Sequence, residues 1–121
     1  MDTSKTVQTR KSLTVRTRAA LKHLCTVLRT IYGPDAPVLV LYGSEARGEA
    51  NENSDVDILL IFRHAVNRGE EIRRLSPTLA ELNLDHDLLV SVLPVAEAEY
   101  ESATGPFWSN VRREGVLLER F

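Results

Sequence analysis

The sequence has one cysteine, no long apolar run and few aromatic residues, and each shortage excludes a class of protein. The single Cys25 excludes an intramolecular disulfide and any zinc cluster built from cysteines, and we expect it to be buried. No apolar run approaches the roughly 18 residues that span a bilayer, and no secretory signal is recognisable, so we expect a cytoplasmic protein without membrane contact. Aromatic residues make up 6% of the chain and are not interleaved with basic ones, which makes sequence-specific nucleic-acid recognition unlikely as a function.

Acidic residues are scarce at the start of the chain. Residues 1–30 hold seven Lys or Arg and one acid, whereas the remainder holds eight and sixteen. Such asymmetry is compatible with a nucleic-acid arm, an organellar transit peptide or a solvated helix face. We favour the solvated face, and positive charge close to a triphosphate site would also help to steer substrate.

The length of 121 residues predicts one domain, because it allows one hydrophobic core but not two. Apolar residues recur with a helical period in the first third of the chain, and Gly33 and Pro34 are typical of a helix end. The predicted parts are a single domain over 1–121, with an N-terminal helix over about 10–32, a catalytic core over about 37–93 and a C-terminal helical segment over about 95–121.

The stretch Pro37–Phe62 is the most informative part of the sequence. Its two apolar runs, Val38–Tyr42 and Val56–Phe62, predict buried strands. Residues i and i+2 of a strand point to the same face, so Asp55 and Asp57 project side by side. Like charges on one face repel each other and lose hydration, and a divalent cation between them removes both costs. Carboxylate oxygens suit Mg²⁺.

A Gly-Ser pair follows the first of these strands. Gly43 allows a sharp turn and a close approach of the backbone to a ligand. Ser44 is suited to cap a short helix predicted over Ser44–Glu49, whose free N–H groups attract phosphate. Arg47 either contacts donor phosphates or holds the loop Gly48–Ser54. Together with the carboxylates, this pattern indicates a metal–nucleotide site; the alternative is an ordinary turn followed by a strand whose acids face water.

A third strand is predicted over Asn83–Leu93. Asp85 and Asp87 would share one face of it, and His86 would lie on the other face as a structural residue. His23 shows no partner pattern, and we expect it at the surface, as we do His64.

Helices are predicted on either side of this third strand. One covers about Glu70–Leu82, where Pro77 either kinks the helix or begins a second one. A short acidic helix is predicted over Val95–Ser102 and a further helix over about 107–114. An edge strand is predicted over Val116–Leu118.

The motif around the carboxylates resembles a known family. Gly43-Ser44, ten intervening residues and Asp55-x-Asp57 are similar to the signature of the polymerase-beta-like nucleotidyltransferase superfamily, and the flanking residues resemble its minimal nucleotidyltransferase branch. The resemblance implies an α/β (α+β) fold in which a small mixed sheet is flanked by helices. It also implies transfer of a nucleotidyl group from ATP or another NTP onto a hydroxyl.

The resemblance gives roles to individual residues. It implies Mg²⁺-binding carboxylates, nucleotide contacts from the turn, and a third carboxylate on the neighbouring strand that binds metal and accepts the proton of the attacking hydroxyl. We predict Asp87 for this third role, because it lies nearer the middle of the predicted strand than the alternative, Asp85. The motif residues are Asp55 and Asp57 for metal binding and catalysis, and Gly43, Ser44 and Arg47 for nucleotide binding.

The branch also suggests a partner. Minimal nucleotidyltransferases of this kind resemble antitoxins that are paired with a small, all-helical HEPN protein, an RNase on which they adenylylate a hydroxyl. Two alternatives stay open: an antitoxin that acts by binding alone, and a small-molecule transferase, for example of aminoglycosides, that completes its pocket as a homo-oligomer. The sequence does not separate a protein acceptor from a small molecule.

Overall fold

The computed structural model describes residues 14–43 and 55–118 of the chain. In these ranges a four-stranded sheet is packed between helices on both faces. The elements in chain order are α1 (Val15–Tyr32), a 3₁₀ turn (Gly33–Asp35), β1 (Val38–Tyr42), β2 (Val56–Phe62), α2 (Arg68–His86), β3 (Val90–Ala96), α3 (Glu97–Ser102), α4 (Pro106–Glu114) and β4 (Val116–Leu118).

The sheet is mixed, with the strand order β3-β2-β1-β4. β1 runs antiparallel to both β2 and β4, whereas β2 and β3 are parallel and are joined by the crossover helix α2. The predicted mixed sheet flanked by helices is therefore confirmed, and both predicted strands around the carboxylate motif have the predicted bounds. None of the helices in the described ranges combines the length and apolar character needed to cross a membrane.

The two faces of the sheet are covered by different helices. On one face, the apolar side of α1 packs with α2 onto β1 and β2, and Cys25 is buried among these residues, as expected. The opposite face carries Val40, Leu59 and Val95, which pack against Val111 of α4. Because side chains alternate along a strand, this second face is also the face of Asp57.

Local signals account for the ends of the first two long helices. The Thr14 side chain accepts a hydrogen bond from the Thr17 N–H at 3.0 Å and starts α1, and Gly33 ends it with a φ of 60°. The predicted end of this helix is confirmed, and residues 10–13 of its predicted start lie outside the described residues. Helix α2 is longer than predicted and runs through Pro77 as one helix, with Asn67 as its N-cap.

The predicted start of the third strand is wrong. Helix α2 continues to His86, and the strand begins only at Val90. Asp87 adopts a left-handed conformation with a φ of 52° and ends the helix, because its N–H reaches back to the Asn83 carbonyl. The Asn83 side chain in turn accepts the Val90 N–H at 2.9 Å, which fixes the passage from helix to strand. The apolar residue Leu84, read as part of a strand, is 83% exposed.

The outer strand β3 extends to Ala96, past Pro94. A proline fits an outer strand where its missing N–H faces away from the neighbouring strand. The Pro94 carbonyl accepts a hydrogen bond from the Arg68 Nε at 3.1 Å, and the Arg68 guanidinium also forms an ion pair with Glu99. Side chains of α2 and α3 thus cover this part of the strand edge.

The expectation that His23 lies at the surface without a partner is wrong. It is half-buried, and its Nδ1 lies 3.0 Å from the His86 Nε2, with the two rings arranged edge to face. This bond joins α1 to the end of α2. His64 is exposed, as expected, and its Nδ1 lies 2.9 Å from the Ala65 carbonyl.

Candidate metal and nucleotide site

The end of β1 and the start of β2 bring the predicted turn and the predicted carboxylates together. Tyr42 is the antiparallel partner of Asp57, so the next residue, Gly43, lies directly beside the carboxylate. A Cβ on Gly43 would be only 2.8 Å from the Asp57 Oδ2, and the backbone there has a φ of +76°. The positive φ therefore favours glycine here, and the Asp57 side chain would have to shift to admit a Cβ.

The two carboxylates of the motif form a negatively charged pair. Asp57 is half-buried and Asp55 is exposed. Burial raises the pKa of Asp57, and the charge of Asp55 raises it further. Within residues 14–43 and 55–118, neither carboxylate takes part in an ion pair. Two like-charged oxygen donors without a basic partner in this part of the chain are a donor set that fits Mg²⁺ or Mn²⁺.

Asp57 also lies in a row of polar side chains that crosses the sheet. β1, β2 and β3 are otherwise apolar, and each contributes one residue with a polar group: Tyr42, Asp57 and Ser91. Tyr42 and Ser91 are the Cα partners of Asp57 on its two sides, so the three side chains share a face. We call these three residues the polar row. Burial and then the charge of Asp57 raise the pKa of the Tyr42 phenol.

Ser91 is the residue that the sequence reading did not identify. It lies in an exposed position on β3, directly opposite Asp57. No local pattern singles it out, because its place beside Asp57 depends on the register of β3 against β2.

The structure does not place the predicted third carboxylates in the sheet. Asp87 ends α2, its side chain is 94% exposed, and its carboxylate lies 3.7 Å from the Arg16 Nη1. Arg16 also donates to the Asp87 carbonyl, at 3.3 Å. Asp85 is exposed on α2. The strand position that motivated both assignments is thus wrong, and the role of Asp87 stays a prediction.

One side of the site is lined by aromatic rings. Phe107 at the start of α4 contacts the Tyr42 ring edge to face, with 5.7 Å between the centroids, and it contacts Trp108 in the same way at 5.2 Å. Phe107 is 43% exposed. The arrangement places an apolar wall beside the polar row on the β1 side.

Two of the predicted nucleotide contacts, Ser44 and Arg47, lie outside the described residues, together with the helix predicted over Ser44–Glu49 and the loop Gly48–Ser54. In the described part of the chain, no group of three or more His, Cys, Asp or Glu side chains is placed to hold a metal. An open cavity of about 1010 Å³ lies at the other end of β1, near Val38 and Arg63, and does not include the polar row.

This combination of a mixed sheet, a glycine turn and a facing carboxylate pair agrees with the comparisons with known proteins. The family model described as "Nucleotidyltransferase domain" matches residues 22–113, and the chain belongs to this family. The match includes Gly43, the carboxylate pair and Ser91. No curated protein sequence matches the chain.

Several solved structures share the fold. A putative nucleotidyltransferase from Sulfolobus solfataricus is 20% identical with a TM-score of 0.59, and the alignment covers 90% of this chain and 84% of that one. A toxin-antitoxin structure with AMP-PNP is 21% identical with a TM-score of 0.55, covering 83% and 73%. A mutant of the toxin-antitoxin MntA-HpeT is 20% identical with a TM-score of 0.53, covering 83% and 73%. At these identities, the similarity establishes the fold.

Proposed function

We propose that the chain is a Mg²⁺-dependent nucleotidyltransferase that moves AMP from ATP onto a hydroxyl of a partner protein, as the antitoxin of a toxin–antitoxin pair with a HEPN protein. The observation that carries the proposal is the contact between the Gly43 backbone and the Asp57 carboxylate, with Asp55 two residues away. A glycine turn with positive φ thereby lies against the only polar side chain of the buried strand β2.

Different residues of the chain are proposed to bind the metal and the donor phosphates. Asp55 and Asp57 would hold Mg²⁺, which supplies positive charge against the donor phosphates when it is bound. The backbone at Gly43 leaves room for a phosphate to approach, and Ser44 and Arg47 are proposed as further phosphate contacts. The rings of Tyr42 and Phe107 provide an apolar boundary to the site on the β1 side.

The chemistry follows from this placement. The acceptor oxygen attacks the α-phosphorus in line, a new O–P bond forms, and the bond to the bridging oxygen breaks, so that pyrophosphate leaves. The acceptor proton passes to a base, for which Asp87 is the predicted residue. To reach the acceptor, Asp87 has to leave Arg16 and turn toward the sheet.

The partner is proposed from two sources. The motif resembles minimal nucleotidyltransferases that are paired with HEPN proteins, and structures of toxin–antitoxin proteins share the fold. One of those structures contains AMP-PNP, an ATP analogue, which supports a nucleotide as donor here.

The test is to incubate the chain with the product of the neighbouring gene and Mg·ATP, and to weigh both proteins by intact mass spectrometry. We expect one or more AMP units on the partner, and none with Asp57→Asn. A tight complex without added mass would favour an antitoxin that acts by binding alone. Transfer to an aminoglycoside but not to the partner would favour a small-molecule transferase.

A further inference from the structure

The polar row contains a hydroxyl that the proposed function does not yet use. Ser91 is the parallel Cα partner of Asp57, and the pairs that follow along the same strands, Leu59 with Leu93 and Ile61 with Val95, pack on the same face. Paired strands lie about 4.8 Å apart, and the side chains of partner residues run alongside each other. The Ser91 and Asp57 side chains therefore project from the same face of the sheet, on neighbouring strands.

An exposed serine on an outer strand is ordinarily just solvated. Here its surroundings favour a more specific role. Ser91 is the only polar side chain of β3, as Asp57 is of β2, and the two are direct partners although seven positions are paired. In the described part of the chain, Ser91 makes no side-chain hydrogen bond. Its hydroxyl is thus available to a ligand held at Asp57.

We infer that the Ser91 hydroxyl is an oxygen ligand of the divalent cation that Asp57 holds. This inference rests on the proposed metal site. Mg²⁺ accepts neutral as well as charged oxygen ligands at about 2.1 Å, so two ligands at right angles are about 3 Å apart, a separation that partner side chains on neighbouring strands can span. Asp87 precedes β3, so Ser91 is the polar side chain that the strand itself contributes.

The assignment has a consequence for charge. A site of two carboxylates and one hydroxyl binds a divalent cation less tightly than a site of three carboxylates, because ligand charge sets much of the affinity. A carboxylate introduced at position 91 should therefore strengthen cation binding, even though it adds repulsion in the empty site.

The first experiment is a calorimetric titration of the full chain with Mn²⁺ in the absence of nucleotide, with Mg²⁺ as competitor. Ser91→Ala should weaken Mn²⁺ binding about tenfold, and Ser91→Thr, which keeps the hydroxyl, should bind within about threefold of the unchanged chain. Thermal melting of each variant checks that the fold is retained. Equal affinity in Ser91→Ala and the unchanged chain would overturn the inference.

The second experiment is the gain of function. Ser91→Asp should bind Mn²⁺ at least about tenfold more tightly than the unchanged chain. The matched control is Ser76→Asp, which adds the same charge at an exposed position of α2, on the opposite face of the sheet, and should leave the affinity unchanged. An affinity of Ser91→Asp that is equal or lower also overturns the inference.

The same titrations separate the two proposals. Binding that is lost in Asp57→Asn but kept in Ser91→Ala overturns only the role of Ser91 and leaves the metal site in place. If the unchanged chain binds no Mn²⁺, or if Asp57→Asn binds it equally well, the proposed metal site fails and the role of Ser91 fails with it.

Discussion

Gly43 and Asp57 are in such close contact that a single methyl group on the glycine would lie 2.8 Å from the aspartate Oδ2. The turn after β1 and the carboxylate on β2 therefore behave as one unit. A change in either one is expected to move the other, and this would connect the position of the proposed phosphate-binding turn to that of the proposed metal ligand.

The first prediction concerns this contact. Gly43→Ala should cost roughly 1–2 kcal/mol of folding stability because of its positive φ, and it should also displace the Asp57 side chain. The control is Gly33→Ala, which has a φ of +60° but open space around the new Cβ. Both variants should melt earlier, but only Gly43→Ala should lose Mg·ATP affinity in calorimetry. If both keep their affinity, the contact has no part in nucleotide binding.

The second prediction concerns the stability of the protein without metal. The folded state raises the pKa of Asp57 above its ordinary value of 3.8, so the protein loses stability as the pH rises and this side chain becomes charged. Asp57→Asn should therefore melt at a higher temperature than the unchanged chain at pH 7, and the difference should disappear below about pH 3.5.

Added Mg²⁺ provides the complementary measurement. It should raise the melting temperature of the unchanged chain and leave that of Asp57→Asn where it was. The control is Glu81→Gln, which removes an exposed charge from α2 and should keep the response to Mg²⁺. An Asp57→Asn variant that melts below the unchanged chain at every pH would contradict the prediction.

The third prediction tests Asp87 as the base. Asp87→Asn should preserve the helix end, because asparagine also tolerates the left-handed conformation, and the exposed ion pair with Arg16 contributes at most about 1 kcal/mol. Turnover should fall at least about tenfold, while ATP affinity changes much less.

Arg16→Ala is the matched control for Asp87, because it breaks the same contact and keeps the carboxylate. An equal loss of turnover in Arg16→Ala would mean that turnover depends on the contact between Arg16 and Asp87, and not on Asp87 acting as a base. Unchanged turnover in Asp87→Asn would remove Asp87 from the mechanism and leave the other residues of the site in place.

The fourth prediction separates stability from chemistry. The Tyr32 hydroxyl donates a hydrogen bond to the Glu71 carboxylate, and burial and this bond raise the pKa of Tyr32. Tyr32→Phe should cost about 1 kcal/mol of unfolding free energy, measured by denaturant titration. Glu71→Gln keeps an acceptor oxygen and should cost less. Neither change should alter Mn²⁺ binding, because the bond joins α1 and α2 on the face of the sheet opposite to Asp57.

The parts of the fold that could be predicted depend on neighbours in the sequence. β1 and β2 are continuous apolar runs, and the end of α1 has its signal in Gly33. The pairing of Asp55 and Asp57 follows from strand alternation alone. The contact of Gly43 with Asp57 then needs only the two strands to be neighbours.

The parts that could not be predicted depend on contacts between distant residues or on unusual backbone. Asp87 ends a helix in a conformation that usually indicates glycine, so the sequence predicts too short a helix and too long a strand. The bond from His23 to His86 spans 63 residues and leaves no local pattern. Ser91 is recognisable only when the register of β3 against β2 is known.

The proline in β3 has a consequence for how the protein associates with others. Outer strands invite sheet extension by another chain, which leads to aggregation or to pairing with a partner through the backbone. At Pro94 a joining strand finds no N–H donor, and the carbonyl is already occupied by Arg68. This part of the edge is therefore a poor template for backbone pairing, and a partner that approaches it is expected to recognise side chains.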